Sequence, residues 1–144
     1  MKTTAILDLM VKDHIQIMKY IKDVENNLGK DFGFLSESFN TLQWNLEKHF
    51  FVEERAIFAS YKPEEPDKEY TYFSDLMDQH TEILEKIESL RKKLQKREPF
   101  DLSEIKKLLV KHKTSEEKHV YPILDQEINE KEKQFIIERI NEII

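Results

Sequence analysis

Cysteine is absent from this 144-residue chain, and glycine, proline and tryptophan are scarce, at two, four and one residues. Without cysteine there can be no disulfide, iron–sulfur cluster, thiolate zinc site or thiol nucleophile. Any metal site must draw on histidine, carboxylate and water, a donor set that suits iron or manganese and admits zinc. Few turn-formers together with 36% charged residues exclude a turn-rich sheet protein and fit long helices with solvated outer faces. No apolar run approaches the ~18 residues of a membrane span. Met1-Lys2-Thr3-Thr4 leads straight into a helical pattern carrying Asp8 and Asp13, so no signal peptide fits and a cytoplasmic protein is expected. The net charge is −6, and the densest basic stretch, Arg91 to Arg97, falls at an expected helix C-terminus. There it complements the helix dipole, so neither a nucleic-acid nor a membrane partner is expected. Nucleophile triads, phosphate loops and cofactor fingerprints are also missing.

What is present is helical periodicity. The first seam runs Met10, His14, Ile17, Ile21, Val24, Leu28 and stops at Gly29. The second, over about residues 34–60, runs Leu35, Phe39, Leu42, Leu46, His49, Glu53, Ala56. Pro63 and Pro66 then break the chain. The third, over about residues 70–96, runs Phe73, Leu76, His80, Ile83, Ile87, Leu90, Leu94. The fourth opens at Asp101-Leu-Ser-Glu104, a weak capping box, and runs Ile105, Leu108, His112, Glu116, His119, Ile123, with Pro122 expected to kink or end it. A short fifth helix, capped near Asn129, carries Phe135, Ile136, Ile140 and Ile144 as apolar anchors. The expected fold is all-α: an antiparallel up-down-up-down four-helix bundle with a short C-terminal helix, forming one domain over residues 1–144.

The residues that interrupt these seams carry the chemistry. All five histidines fall on a seam, as do Glu53 and Glu116. One buried histidine is ordinarily a hydrogen-bonded core residue. Here each long helix supplies one near its midpoint, and in an antiparallel bundle four midpoints share one layer. Buried carboxylates need compensation, and no Lys or Arg lies on these seams, so a cation is the simplest partner. His49 with Glu53 and His112 with Glu116 are i, i+4 pairs, side by side on one helix face. Two bridging carboxylates and four imidazoles can hold two cations and leave positions open.

An internal repeat supports the pairing. His49-Phe-Phe-Val-Glu-Glu aligns with His112-Lys-Thr-Ser-Glu-Glu, and Asp13-His-Ile-Gln-Ile aligns with Gln79-His-Thr-Glu-Ile. Each half supplies one histidine from its first helix and a His-x-x-x-Glu-Glu from its second, a pseudo-twofold arrangement suited to two metals.

These motifs, with Tyr121-Pro122-Ile-Leu124, resemble the hemerythrin-like, or HHE cation-binding, family over about residues 10–125. The resemblance implies a non-haem di-iron or mixed-metal centre, as two iron ions with an oxo or hydroxo bridge. Its metal ligands would be His14, His49, Glu53, His80, His112 and Glu116, with the two glutamates as bridges. It implies a module that binds or senses oxygen, nitric oxide, peroxide or a related small oxidant. The alternatives are a redox enzyme of peroxidase, nitric oxide reductase or iron oxidase type, or an iron-responsive interaction domain. The oxygen carriers of the family place a second histidine four residues after the one on the third helix. That position is Leu84 here, and its repeat mate is Met18, so the open coordination position is expected beside Leu84. The carriers' last carboxylate follows its histidine by five residues, which would select Glu117, but the i, i+4 spacing of Glu116 matches the HHE branch better. His119, one turn beyond Glu116, is a candidate replacement ligand, with a supporting or core-capping role the stronger expectation.

Overall fold

The computed structural model describes residues 2–60 and 68–143, and all regular structure among them is helical. None of the described helices is long and apolar enough to cross a membrane. The break expected at Pro63 and Pro66 lies outside the described residues.

Helix α1, Ala5–Asn27, gives way at Leu28 to Gly29, whose φ of 75° is the left-handed conformation that closes a helix without strain when the residue lacks a Cβ. Helix α2, Phe32–Val52, starts two residues before the expected Phe34. Asp31 is the reason: its carboxylate accepts the N–H of Gly33 at 2.8 Å and of Phe34 at 3.3 Å. Helix α3 is Lys68–Gln95 and helix α4 is Ser103–Ser115. The capping box expected at the start of α4 does not form. Asp101 instead accepts the Ser103 N–H at 3.0 Å, and the residue before the helix, Leu102, offers no side-chain cap. Helices α5, Tyr121–Glu127, and α6, Glu130–Ile143, follow, the latter capped by Asn129 as expected, through the Glu132 N–H at 2.9 Å.

Both α2 and α4 run into a π-helical turn, at Glu53–Ile57 and Glu116–Val120. The Phe58 N–H donates to the Glu53 carbonyl and the Tyr121 N–H to the Glu116 carbonyl, each five residues back. The extra residue rotates everything downstream. Val120, Tyr121 and Leu124 therefore face inward, while His119 is exposed and Ile123 only half-buried. This corrects the expectation that His119 continues the inner seam. Pro122 does not end the chain's helical course, because it occupies the first turn of α5, where a missing N–H goes unused.

The core is split in two. One apolar cluster gathers Ile6, Met10, Ile57, Phe73 and Tyr121 with Ile136 and Ile140 of α6. The other gathers Ile17, Ile21, Phe39, Leu46, Phe50, Ile83 and Leu109. Between them lie His14, His49, Glu53, His80, His112 and Glu116, each at most 5% exposed. On α6 the anchors are Ile136 and Ile140; Phe135 is 62% exposed, and Ile144 lies outside the described residues.

A buried cation fastens α6. Lys133, 1% exposed, donates to the Thr3 carbonyl at 2.9 Å and the Asp125 carbonyl at 2.8 Å, and pairs with the Asp125 carboxylate at 3.4 Å. That carboxylate also accepts the Ile6 and Leu7 N–H groups, satisfying the first turn of α1. Removing one partner of such a buried pair leaves an uncompensated charge. Lys133→Met is thus expected to lower the unfolding free energy by about 3 kcal/mol in urea titration. A loss under about 0.5 kcal/mol, the range of a neutral surface change, would show that Asp125 is satisfied without it.

Candidate metal centre

Each histidine reaches the polar layer from a different helix: His14 from α1, His49 from α2, His80 from α3 and His112 from α4. Glu53 and Glu116 stand at the first positions of the two π turns and enter the same layer, 0% exposed. The Nε2 atoms point inward. Glu53 Oε1 lies 2.9 Å from His49 Nε2 and 3.3 Å from His80 Nε2. Glu116 Oε1 lies 3.2 Å from both His14 Nε2 and His112 Nε2. His80 Nε2 and His112 Nε2 face each other at 3.1 Å. All six sequence-derived candidates are thus brought together, and His119 is left outside.

The Nδ1 atoms point outward, each to an acceptor on a neighbouring helix. Asp13 accepts from His49, Glu54 from His80 at 3.2 Å, Gln79 from His112 at 2.6 Å, and Glu117 from His14 at 3.3 Å. These partners hold each ring with its Nε2 lone pair directed at the centre. Asp13, Glu54 and Gln79 are the site residues whose role sequence reasoning missed, and Glu117, weighed as an alternative ligand to Glu116, backs His14 from outside the layer. The signal was available: each directly precedes a ligand histidine or follows a ligand glutamate, at matching positions of the repeat. Glu54, one residue off the seam and so expected to face solvent or a neighbouring helix, does the latter and supports His80. Tyr121, brought inward by the second π turn, donates its hydroxyl to Glu53 Oε2.

Four buried atoms, His14 Nε2, Glu53 Oε1 and both Glu116 carboxylate oxygens, have no aligned hydrogen-bond partner. The close contacts to Glu53 Oε1 and Glu116 Oε1 are proximities of charge and lone pair, not directed bonds. Protons compensate only part of the layer. For His49, burial opposes the charged form, but the Glu53 carboxylate and Asp13 outweigh it and raise the pKa to about 9. Burial would push Glu53 up, yet the charge of His49 first, and then the close approach of the His112 and His80 rings, hold it well below the carboxylate range. Burial and the charge of His49 lower His14, and burial also lowers His112. Glu116 therefore faces two imidazoles that resist protonation. A buried carboxylate in that position calls for a cation.

The ligating atoms form two overlapping sets, His14–His49–Glu53–Glu116 and Glu53–His80–His112–Glu116, with the atoms of each set within 4.8 Å of one another. The two sets share both carboxylates, and all of the orphaned atoms belong to residues of these sets, so the layer could hold metal. On one flank lies a cavity of about 10 Å³ bounded by His14, His49, His112, Phe50, Ile17 and Met18. His80 does not border it, because the Phe50 ring stacks on the imidazole at 4.0 Å. An open depression of about 320 Å³ on the outer face of α1 and α4 shares His14, Met18 and Lys113 with that cavity. A cleft of about 590 Å³ at the loop end, around Phe32 and Phe100, contains no group of ligating side chains.

A family model described as the hemerythrin HHE cation-binding domain matches residues 5–124. No curated protein and no solved structure matches the chain significantly.

Alanine at Glu53 or at Glu116 is expected to abolish tight cation binding, since each belongs to both sets. Alanine at Glu54 or Glu117 should weaken it by only about 10–100-fold with stoichiometry retained, because these residues act through a ring. Metal titration with elemental counting separates the two patterns. Equal loss in all four variants would make the outer carboxylates ligands themselves.

Proposed function

The chain belongs to the hemerythrin HHE cation-binding domain family, and on that footing we propose that it holds a bridged non-haem di-iron centre that binds or senses oxygen, nitric oxide or a related small oxidant. The observation that carries this reading is the pair of four-ligand sets sharing two buried carboxylates, Glu116 with neither oxygen and Glu53 with only Oε2 in an aligned hydrogen bond. Imidazole and carboxylate without thiolate favour iron over softer-ligated metals. His14, His49, His80 and His112 would be terminal ligands, and Glu53 and Glu116 the bridges. Bound there, the iron pair would supply reversible redox chemistry and open coordination positions for a gaseous or peroxide ligand.

The protein's own part is enclosure. Phe50 covers His80, and Ile17, Phe50 and Leu109 keep the flanking cavity apolar. At about 10 Å³ that cavity takes something of water or diatomic size. The Tyr121 hydroxyl fixes the orientation of the Glu53 carboxylate. The cavity adjoins Met18 and not Leu84, so the reachable face is on the α1 side. The ring of Nδ1 contacts makes α1, α2, α3 and α4 successive neighbours around the layer, the order that an up-and-down bundle forming one domain over residues 1–144 requires. The protein acts in the cytoplasm on a small diffusible ligand, independent of nucleic acid and membrane.

Anaerobic iron reconstitution should give close to two irons per chain and an absorption spectrum that changes on admitting air. Less than one bound iron, with no other metal taken up, would sink the reading. Met18→Trp should narrow the neck between depression and cavity. Stopped-flow mixing of the reduced protein with nitric oxide is expected to show slower binding at unchanged iron content. An unchanged rate would place the entry elsewhere.

A further inference from the structure

The four outward contacts form a ring that is almost, but not fully, symmetric. The repeat offsets pair Glu54 with Glu117, and both are carboxylates, backing His80 and His14. They also pair Asp13 with Gln79, where the symmetry fails. His49 donates its Nδ1–H to a carboxylate, whereas His112 donates to a neutral amide oxygen at 2.6 Å. His49 belongs only to the first ligand set and His112 only to the second. Glu53 and Glu116 belong to both sets, and the Glu54 and Glu117 contacts are near equivalents, at 3.2 and 3.3 Å.

We propose that the two cation positions are inequivalent by construction and fill in order, the His14–His49 position first, because Asp13 backs His49 with a carboxylate where Gln79 backs His112 with an amide. The inference rests on the two-metal reading above. A carboxylate on the Nδ1–H makes the opposite nitrogen a more basic donor and adds a negative charge near the cation; an amide oxygen orients the ring, raises its basicity less and adds no charge. Asp13 is 23% exposed, so water only partly screens it. Lys113 stands 3.9 Å from Glu117, at the outer limit of pairing, and touches no imidazole nitrogen. As a partly exposed pair at that distance it offsets little of the difference. Asp13 and Gln79 are positioning residues that set the rank of the two sites.

The test is a Co²⁺ titration of the full chain without oxygen, followed by the absorption of bound Co²⁺ and by NMR of the histidine rings. Wild type should bind two ions in separate steps, about 10–100-fold apart in affinity. The first equivalent should shift the rings of His14 and His49. Gln79→Glu should tighten the second step and merge it with the first, a gain that a merely structural role cannot produce. Asp13→Asn should weaken the first step. The double variant Asp13→Asn/Gln79→Glu should invert the order, with the first equivalent shifting His80 and His112. Lys113→Met should leave the order unchanged. Two ions bound in one step with equal shifts on all four rings, or a second step unmoved by Gln79→Glu, would overturn the inference while leaving a two-metal centre standing. Fewer than two Co²⁺ bound by wild type would remove the two-metal reading and this inference with it.

Discussion

Two carboxylates and four imidazoles occupy one layer of a helical bundle that is apolar on both sides of it. In that setting an unpaired carboxylate costs several kcal/mol, and among the described residues no lysine or arginine enters the layer. The rest of the architecture follows from the need to compensate that charge and to aim its lone pairs. His49 can carry a proton between Glu53 and Asp13, but His14 and His112 resist one, and Glu116 is left without an aligned partner. A bound cation would answer both needs with the atoms already in place.

The π turns are the local device that makes the layer possible. Each begins at a glutamate of the layer, and each inserts one residue into the helical repeat. Up to Glu53 and Glu116 the histidine and its glutamate share a face; beyond them the face rotates. In the second turn this expels His119 and brings in Val120 and Tyr121, whose hydroxyl then fixes Glu53. In the first it turns Ile57 and Phe58 into the core, where Phe58 stacks on Phe73 at 4.7 Å. The same backbone irregularity thus sets the ligands and closes the apolar lid over them.

The second organising contact lies at the far end of that lid. Lys133 and Asp125 tie α6 to the start of α1, so that the chain's first and last described helices are packed as one cap. Because Ile136 and Ile140 complete the upper cluster, loosening this cap opens the apolar side from which Tyr121 reaches the centre.

The sequence by itself determined the helices, the inner seams and the six residues of the layer. Periodicity is a property of the chain, and the regular α-helical spacing of His49 to Glu53 and His112 to Glu116 holds in any such helix. The duplicated motif likewise revealed two halves making equivalent contributions. Only the tertiary structure decided the rest. Regular spacing predicts His119 inward, but a π turn is a cooperative backbone choice, favoured by the packing it permits and not by the local residues. Leu84 and Met18 are equivalent in the repeat, yet only Met18 borders the cavity beside the centre, because the space next to His80 is filled by a ring from another helix. The repeat marks Asp13, Glu54, Gln79 and Glu117 as neighbours of the ligand residues, but only the packing shows that a neighbouring helix presents an Nδ1–H to each. Contacts between helices depend on how the helices are rotated and set against one another, and a one-dimensional pattern does not encode that.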